Sequence, residues 1–196
     1  MKRAYNFNAG PSAMPLEVLL EAQEEFLNYK NTGMSIIEMS HRSNEYAALH
    51  AETKQLLREL MEIPDDYEIM FIQGGGSNQF LMTAANFHTK KYAAYVNTGV
   101  WAKKAMAEGK FYGEVYEAAT SADKNHSYIP QEFTLRPDTS YVHLTANNTI
   151  YGTEYKDFPK FDVPVICDMS SDILSRKVNV KDFDLIYAGA QKNLGP

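Results

Sequence analysis

Apolar residues return every three to four positions through "PLEVLLEAQEEFLNYKNTG", so Leu16, Leu19, Leu20, Phe26 and Leu27 share one face of a predicted helix. Pro15 suits its first turn and Gly33 its exit. A second helical period runs through "NEYAALHAETKQLLRELMEI", with Asn44 as its cap and Tyr46, Leu49, Leu56, Leu57 and Leu60 on one side. The connector between them, "MSIIEMSHRS", mixes polar and apolar residues and carries His41 and Arg42. Further on the period changes. Short runs rich in Val, Ile and Tyr read as strands: "EIMFIQ", "YAAYVN", "GEVYEA", "SYVHLTA", "VPVICD" and "DLIYAG". Helices are expected over "SNQFLMTAANF" and "WAKKAMAEG". Nearly continuous apolar strands alternating with helices predict an α/β fold with a mostly parallel sheet covered on both faces. "TSADKNHSYIPQEFTLRPDTS" and "NNTIYGTEYKDFPKF" read as irregular.

The 196 residues suffice for one sizeable domain, or one domain and part of another. Net charge is −6 and no Lys/Arg block occurs, which argues against a nucleic-acid surface. With five arginines and an overall field of the wrong sign, an anionic substrate would need a local arrangement of donors. The single cysteine, Cys167, cannot form an internal disulfide, which suits a reducing compartment. "MKRAYNFNAG" lacks the apolar core of a signal peptide, and no apolar run is long enough to span a bilayer. A soluble cytoplasmic protein without membrane or nucleic-acid partners is expected.

In open α/β sheets ligands gather at the carboxyl ends of strands, and the distinctive residues fall there. Gly74-Gly75-Gly76 precedes a predicted helix start, where close backbone approach and free N–H groups suit a phosphate, with Ser77 adding a hydroxyl. The spacing matches neither GxGxxG nor a Walker A loop, and a tight strand-to-helix turn is the plainer alternative. Asp168 ends "VPVICD"; it is either a helix cap or turn residue for "MSSDIL" or a buried acid that meets a cation or donors. Lys192 follows the next strand and would face the same cleft, as an ion-pair partner or as an amine that condenses with a carbonyl. Trp101, the only tryptophan, belongs in the core or stacks on a flat ring. His41-Arg42 is a surface ion pair or a clamp for carboxylate or phosphate. Together, a phosphate cradle, a stacking ring, an acid and a lysine describe one ligand, pyridoxal 5′-phosphate, and no metal is expected.

"FNAGPSAMP", "EMSHRS", "GGGSNQF", "CDMSSDILSR" and "YAGAQKNLGP", in this order, resemble the phosphoserine aminotransferases, class-V members of the fold-type I pyridoxal-phosphate superfamily. The resemblance implies a three-layer α/β/α large domain with a mostly parallel mixed sheet. Residues 1–15 would be an N-terminal segment near the active site, and 16–196 the N-terminal part of the cofactor-binding domain. Family members continue past the lysine into a small C-terminal domain, so the chain is expected to be truncated after its Schiff-base lysine. Lys192 matches that lysine, Gln191 a phosphate contact, and Gly76 and Ser77 the phosphate cradle. Trp101 matches the ring-stacking residue, Thr149 a contact near the ring hydroxyl, and Asp168 the partner of the ring nitrogen. Arg42 matches the substrate-carboxylate arginine, with His41 beside it near the second anionic group. Ala9 departs from the pattern, standing where some relatives carry serine. The implied reaction moves an amino group from L-glutamate to 3-phosphohydroxypyruvate in a cytoplasmic homodimer serving serine biosynthesis, and pyridoxine biosynthesis through 4-phosphohydroxythreonine. The alternatives are a related class-V aminotransferase with another substrate, or an inactive folded fragment.

Overall fold

A computed structural model of the chain describes residues 3–195. Contacts divide it into two units: Ser12–Ile69 with the stretch ending at Asn8, and Ala9–Pro11 with the residues from Met70 onward.

The first unit holds helices α1 (Leu16–Glu25) and α2 (Asn44–Met61). α1 stops eight residues before Gly33, shorter than its periodicity predicts. Its last turn has no basic residue and ends in Glu24-Glu25, which oppose the negative end of the helix dipole. The chain then folds onto itself: Asn28 Oδ1 accepts from Gly33 N at 2.7 Å, and Tyr29 N donates to Met34 O. α2 is capped by Ser43 and not by Asn44; Ser43 Oγ accepts from Tyr46 N at 3.2 Å. Glu62 closes α2 in the left-handed conformation, and Arg58 donates to Pro64 O and Tyr67 O beyond it. No residue of either helix is buried; Leu20 is 54% and Leu60 62% exposed.

The second unit is built on a five-stranded parallel sheet. Its strands are β1 (Tyr92–Asn97), β2 (Glu114–Thr120), β3 (Thr139–Thr145), β6 (Val165–Asp168) and β7 (Leu185–Tyr187), in spatial order β2-β1-β3-β6-β7. A short hairpin, β4 (Asn147–Asn148) with β5 (Thr153–Glu154), leaves the end of β3 within a stretch expected to be irregular. Helices α3 (Gly75–Phe87) and α4 (Val100–Gly109) lie against one face, where Phe80 and Ala105 pack with Ala93, Tyr95, Tyr141, Ile166 and Tyr187. On the other face Val96, Val142, Leu144 and Cys167 meet Tyr155, Met169 and Phe183, with Phe133 and Phe161 at the margin.

"EIMFIQ", expected as a strand, forms none. A strand requires a ladder of paired N–H and C=O groups, and this run stays outside the sheet, with Met70, Phe71 and Ile72 about half exposed or more. The face under α3 and α4 carries a buried polar layer. Tyr95 and Tyr141 share a hydroxyl–hydroxyl bond of 2.5 Å, and His143 Nε2 meets Tyr187 Oη at 2.8 Å across the intervening β6. Burial pushes His143 down to about 3, so the imidazole is neutral at ordinary pH. Among the described residues no helix is long and apolar enough to cross a membrane.

Candidate active site

Because all five strands run the same way, their carboxyl ends share one edge, and α3 starts there. Gly74 and Gly75 take φ of 99° and 63°, a region that disfavours side chains, and this lets the chain turn directly into α3. A cleft with about 450 Å³ of empty space opens at this edge. Gly76, Ser77 and Phe80 of α3 line it with Trp101 of α4, Thr145 at the end of β3, and Asn147 and Thr149 of the hairpin. The opposite wall is Asp168 at the end of β6, Ser170 and Ser171 just after it, and Gly189, Gln191 and Lys192 after β7.

The approach of backbone to backbone is close. A Cβ added at Gly189 would come within 3.2 Å of Gly76 N, and one added at Gly76 within 3.2 Å of Ser170 Oγ. Glycine at both positions lets the start of α3 sit this near the chain leaving β7 without either neighbour having to shift. The first N–H groups of α3, which have no partner within the helix, are thereby left at the cleft.

Asp168 is 6% exposed. Burial pushes its carboxyl upward, and two hydrogen bonds from Ser170 and the charge of Lys192 oppose this. The turn reading of Asp168 holds in part: Oδ1 accepts from Ser170 N at 2.9 Å and from Ser170 Oγ at 2.6 Å, although the residues after it form turns and no helix. Lys192 Nζ donates to Thr149 Oγ1 at 2.9 Å and lies 5.6 Å from the centroid of the Trp101 ring. Burial lowers its pKa, and the attraction of Asp168 works the other way. Trp101 Nε1 is buried without a hydrogen-bond partner among the described residues, and Lys104 Nζ stands 4.6 Å from the same ring.

Seven of the nine residues singled out from the sequence therefore line one cleft: Gly76, Ser77, Trp101, Thr149, Asp168, Gln191 and Lys192. His41 and Arg42 lie in the first unit, in an exposed turn where Arg42 N donates to Ser40 Oγ at 3.2 Å. Sequence reasoning missed Phe80, Thr145, Asn147, Ser170, Ser171 and Gly189. It also missed Gly10, where an added Cβ would come within 2.6 Å of Lys192 Cγ. Two of these carried a readable signal. Gly189 follows a strand as Gly74 precedes a helix, and Ser170 stands two residues after an acid, the spacing of an Asx turn. Among the described residues no cluster of His, Cys, Asp or Glu could hold a metal ion.

The profile of the "Aminotransferase class-V" family matches residues 4–196. The chain belongs to this family. The phosphoserine aminotransferase of Bacillus subtilis (strain 168) is 55% identical to this class-V chain, over all of it and 55% of the relative. Among solved structures, phosphoserine aminotransferase from Bacillus circulans subsp. alkalophilus superposes with a TM-score of 0.96 at 52% identity, covering 99% of this chain and 55% of the other. A phosphoserine aminotransferase from Trichomonas vaginalis, described as PLP-bound, gives 0.93 at 39% identity over 99% of this chain and 56% of its own. The chain thus spans about half the length of the relatives it matches. The class-V sheet and its carboxyl-edge cleft lie wholly in the second unit.

Proposed function

We propose that this chain is the cofactor-binding part of a phosphoserine aminotransferase, which uses pyridoxal 5′-phosphate to move the amino group of L-glutamate onto 3-phosphohydroxypyruvate. The products are 2-oxoglutarate and O-phospho-L-serine. The observation that carries the reading is the meeting of Lys192, Asp168 and the Trp101 ring in one cleft, beside a glycine-lined helix start. The residues present fit the group. The bare Gly76 leaves space that a side chain would close against Ser170, Trp101 Nε1 is a buried donor without a partner among the described residues, and Asp168 is an acid set deep at a strand end. Gly76 N, the Ser77 hydroxyl and Gln191 would hold the phosphate. The Trp101 face would stack on the ring, Thr149 would meet the ring hydroxyl, Asp168 the ring nitrogen, and Lys192 Nζ the aldehyde carbon.

When bound, pyridoxal 5′-phosphate supplies an aldehyde that takes up amines and a protonated ring that draws electrons from the adjoining carbon. The chain's own residues do the rest. Burial favours the neutral form of Lys192, which is the nucleophilic one. Nζ would also be the base that takes the proton from the substrate α-carbon. Thr149 Oγ1, 2.9 Å from Nζ, orients that amine. Asp168 holds the proton on the ring nitrogen. Arg42 would bind the substrate carboxylate and His41 the second anionic group, a pairing suited to doubly anionic substrates such as phosphohydroxypyruvate.

Residues 1–15 would be the N-terminal segment near the active site, which the closeness of Gly10 to the Lys192 stem supports, and 16–196 part of the large domain. We extend the reading to a homodimer, supported by the exposed apolar residues of α1 and α2, and to a cytoplasmic location. The same anion recognition would accept the phosphorylated precursor of 4-phosphohydroxythreonine, which places a second activity in pyridoxine synthesis. The test is borohydride reduction of the full-length protein with pyridoxal phosphate, followed by peptide mapping. A stable adduct on Lys192 that vanishes in Lys192→Ala is expected; no adduct, or one on another lysine, overturns the reading. Coupled assays with phosphohydroxypyruvate and glyoxylate then separate this substrate from that of other class-V enzymes.

A further inference from the structure

We propose that Ser170 is a positioning residue that keeps Asp168 ionised, turns its second oxygen toward the coenzyme ring nitrogen, and ties this acid to the loop bearing Lys192. The inference rests on the coenzyme reading above.

Hydrogen-bond direction carries it. Gly189 N donates to Ser170 Oγ at 2.8 Å, and an amide N–H can only donate. The single hydroxyl proton of Ser170 is therefore directed elsewhere, and its partner is Asp168 Oδ1 at 2.6 Å. With Ser170 N also donating to Oδ1, at 2.9 Å, that oxygen receives two donors and has no place for a proton of its own. Among the described residues Oδ2 has no hydrogen bond, and Asp168 lines the cleft. A serine that merely closed the turn would need only its N–H bond. The hydroxyl bond to Asp168 is additional, and the same oxygen accepts from Gly189 N, in the chain that leaves β7.

The other ionisable groups around Asp168 do less for its charge. Tyr187 on β7 and Cys167 on β6 are pushed well upward by burial and are neutral. Asp172, in the turn after β6, carries the same sign, and Lys192 contributes less than either Ser170 bond. Ser170 Oγ is also a common point of three segments: the acid, the chain leading from Gly189 to Lys192, and the start of α3, where a Cβ added at Gly76 would stand 3.2 Å from that oxygen.

The experiment uses the full-length protein loaded with pyridoxal phosphate labelled with nitrogen-15 in the ring. The chemical shift of that nitrogen is followed against pH in the parent, Ser170→Ala, Ser170→Cys, and each change combined with Asp168→Asn. The parent should keep the ring nitrogen protonated across its stable range. Ser170→Ala should lower that nitrogen's pKa by at least about one unit, because Oδ1 keeps one donor of two. Ser170→Cys, which retains a weak donor, should fall between. Neither should matter once Asp168 is asparagine, since the serine acts through the acid. An unchanged titration in Ser170→Ala, or an equal shift in both backgrounds, overturns the proposal while leaving the coenzyme reading intact. A parent that binds no coenzyme overturns both.

Discussion

Gly10 offers a direct test of how Lys192 is held, because its absent side chain leaves the space that the lysine stem occupies. Its backbone lies outside the positive-φ region, so alanine is acceptable there in conformation and the change acts through contact alone. The new Cβ would stand 2.6 Å from Lys192 Cγ and 3.4 Å from both Lys192 Cε and Gln191 O. Ordinary carbon–carbon contact begins near 3.5 Å, so the stem must retreat by about 1 Å. Cγ is close to the backbone and cannot swing away as a side-chain tip can. Nζ would then leave Thr149 Oγ1, now 2.9 Å away, forfeiting about 1–3 kcal/mol of orientation. A displacement of about 1 Å at a reacting group costs on the order of 100-fold in rate. Stopped-flow absorbance of the full-length protein mixed with pyridoxal phosphate measures amine capture directly. Gly10→Ala should slow it by about 10- to 100-fold, within that range. Binding of pyridoxamine phosphate, which has no aldehyde, should change far less, because the new Cβ meets the phosphate cradle only at Gln191 O, at an ordinary contact distance of 3.4 Å. Capture within about twofold of the parent would refute the view that this contact places the lysine.

Three further outcomes are expected. Arg42→Ala should raise KM for glutamate with little change in kcat, since a lost carboxylate contact affects ground and transition states alike; steady-state kinetics with an unchanged KM would move the clamp elsewhere. His143 is buried with its pKa depressed to about 3, against about 6.5 when unfolded, so the unfolded chain binds a proton first as pH falls and stability is lost from about pH 6.5 downward. By pH 5 the loss is about 2 kcal/mol, and urea unfolding at pH 7 and pH 5 should find it missing in His143→Gln. Gly109→Ala would drive a Cβ into the Tyr95 hydroxyl at the end of α4 and should destabilise the protein by about 1–3 kcal/mol, read as a lowered Tm.

What the sequence made legible was whatever local chemistry decides. β1, β3 and β6 announce themselves as apolar runs because they are buried on both faces, the edge strands β2 and β7 show their apolar residues on the packed positions, and Gly74 and Gly75 mark the entry to α3 because other residues would be strained there. Asp168 and Lys192 were readable because one ends a strand and the other follows one, and strands of one parallel sheet end at one edge. The rest needed information from afar. "EIMFIQ" has strand composition but lies outside the sheet, and composition cannot report pairing. α1 has the periodicity to reach Gly33, yet a competing turn built on the Asn28 side chain takes over after Glu25. Ser43 captured the cap of α2 from its neighbour by one residue, within the usual slack of terminal positions. Ser170 stayed hidden because its meaning lies in Gly189, nineteen residues away and just past another strand.

The aromatic hydroxyls and the imidazole beneath the cleft have a bearing on how the protein reaches its native state. Tyr141 and His143 point to the same side of β3, and a slip of one residue would turn both into the hydrocarbon on the reverse side, stranding Tyr95 and Tyr187 as well. Four orphaned polar groups at about 1–3 kcal/mol each amount to roughly 4–12 kcal/mol, comparable to the whole stability of a domain. Mispaired sheets are thus expelled during folding, and the ends of β6 and β7, with the acid and the amine they bear, come into line as part of the same selection.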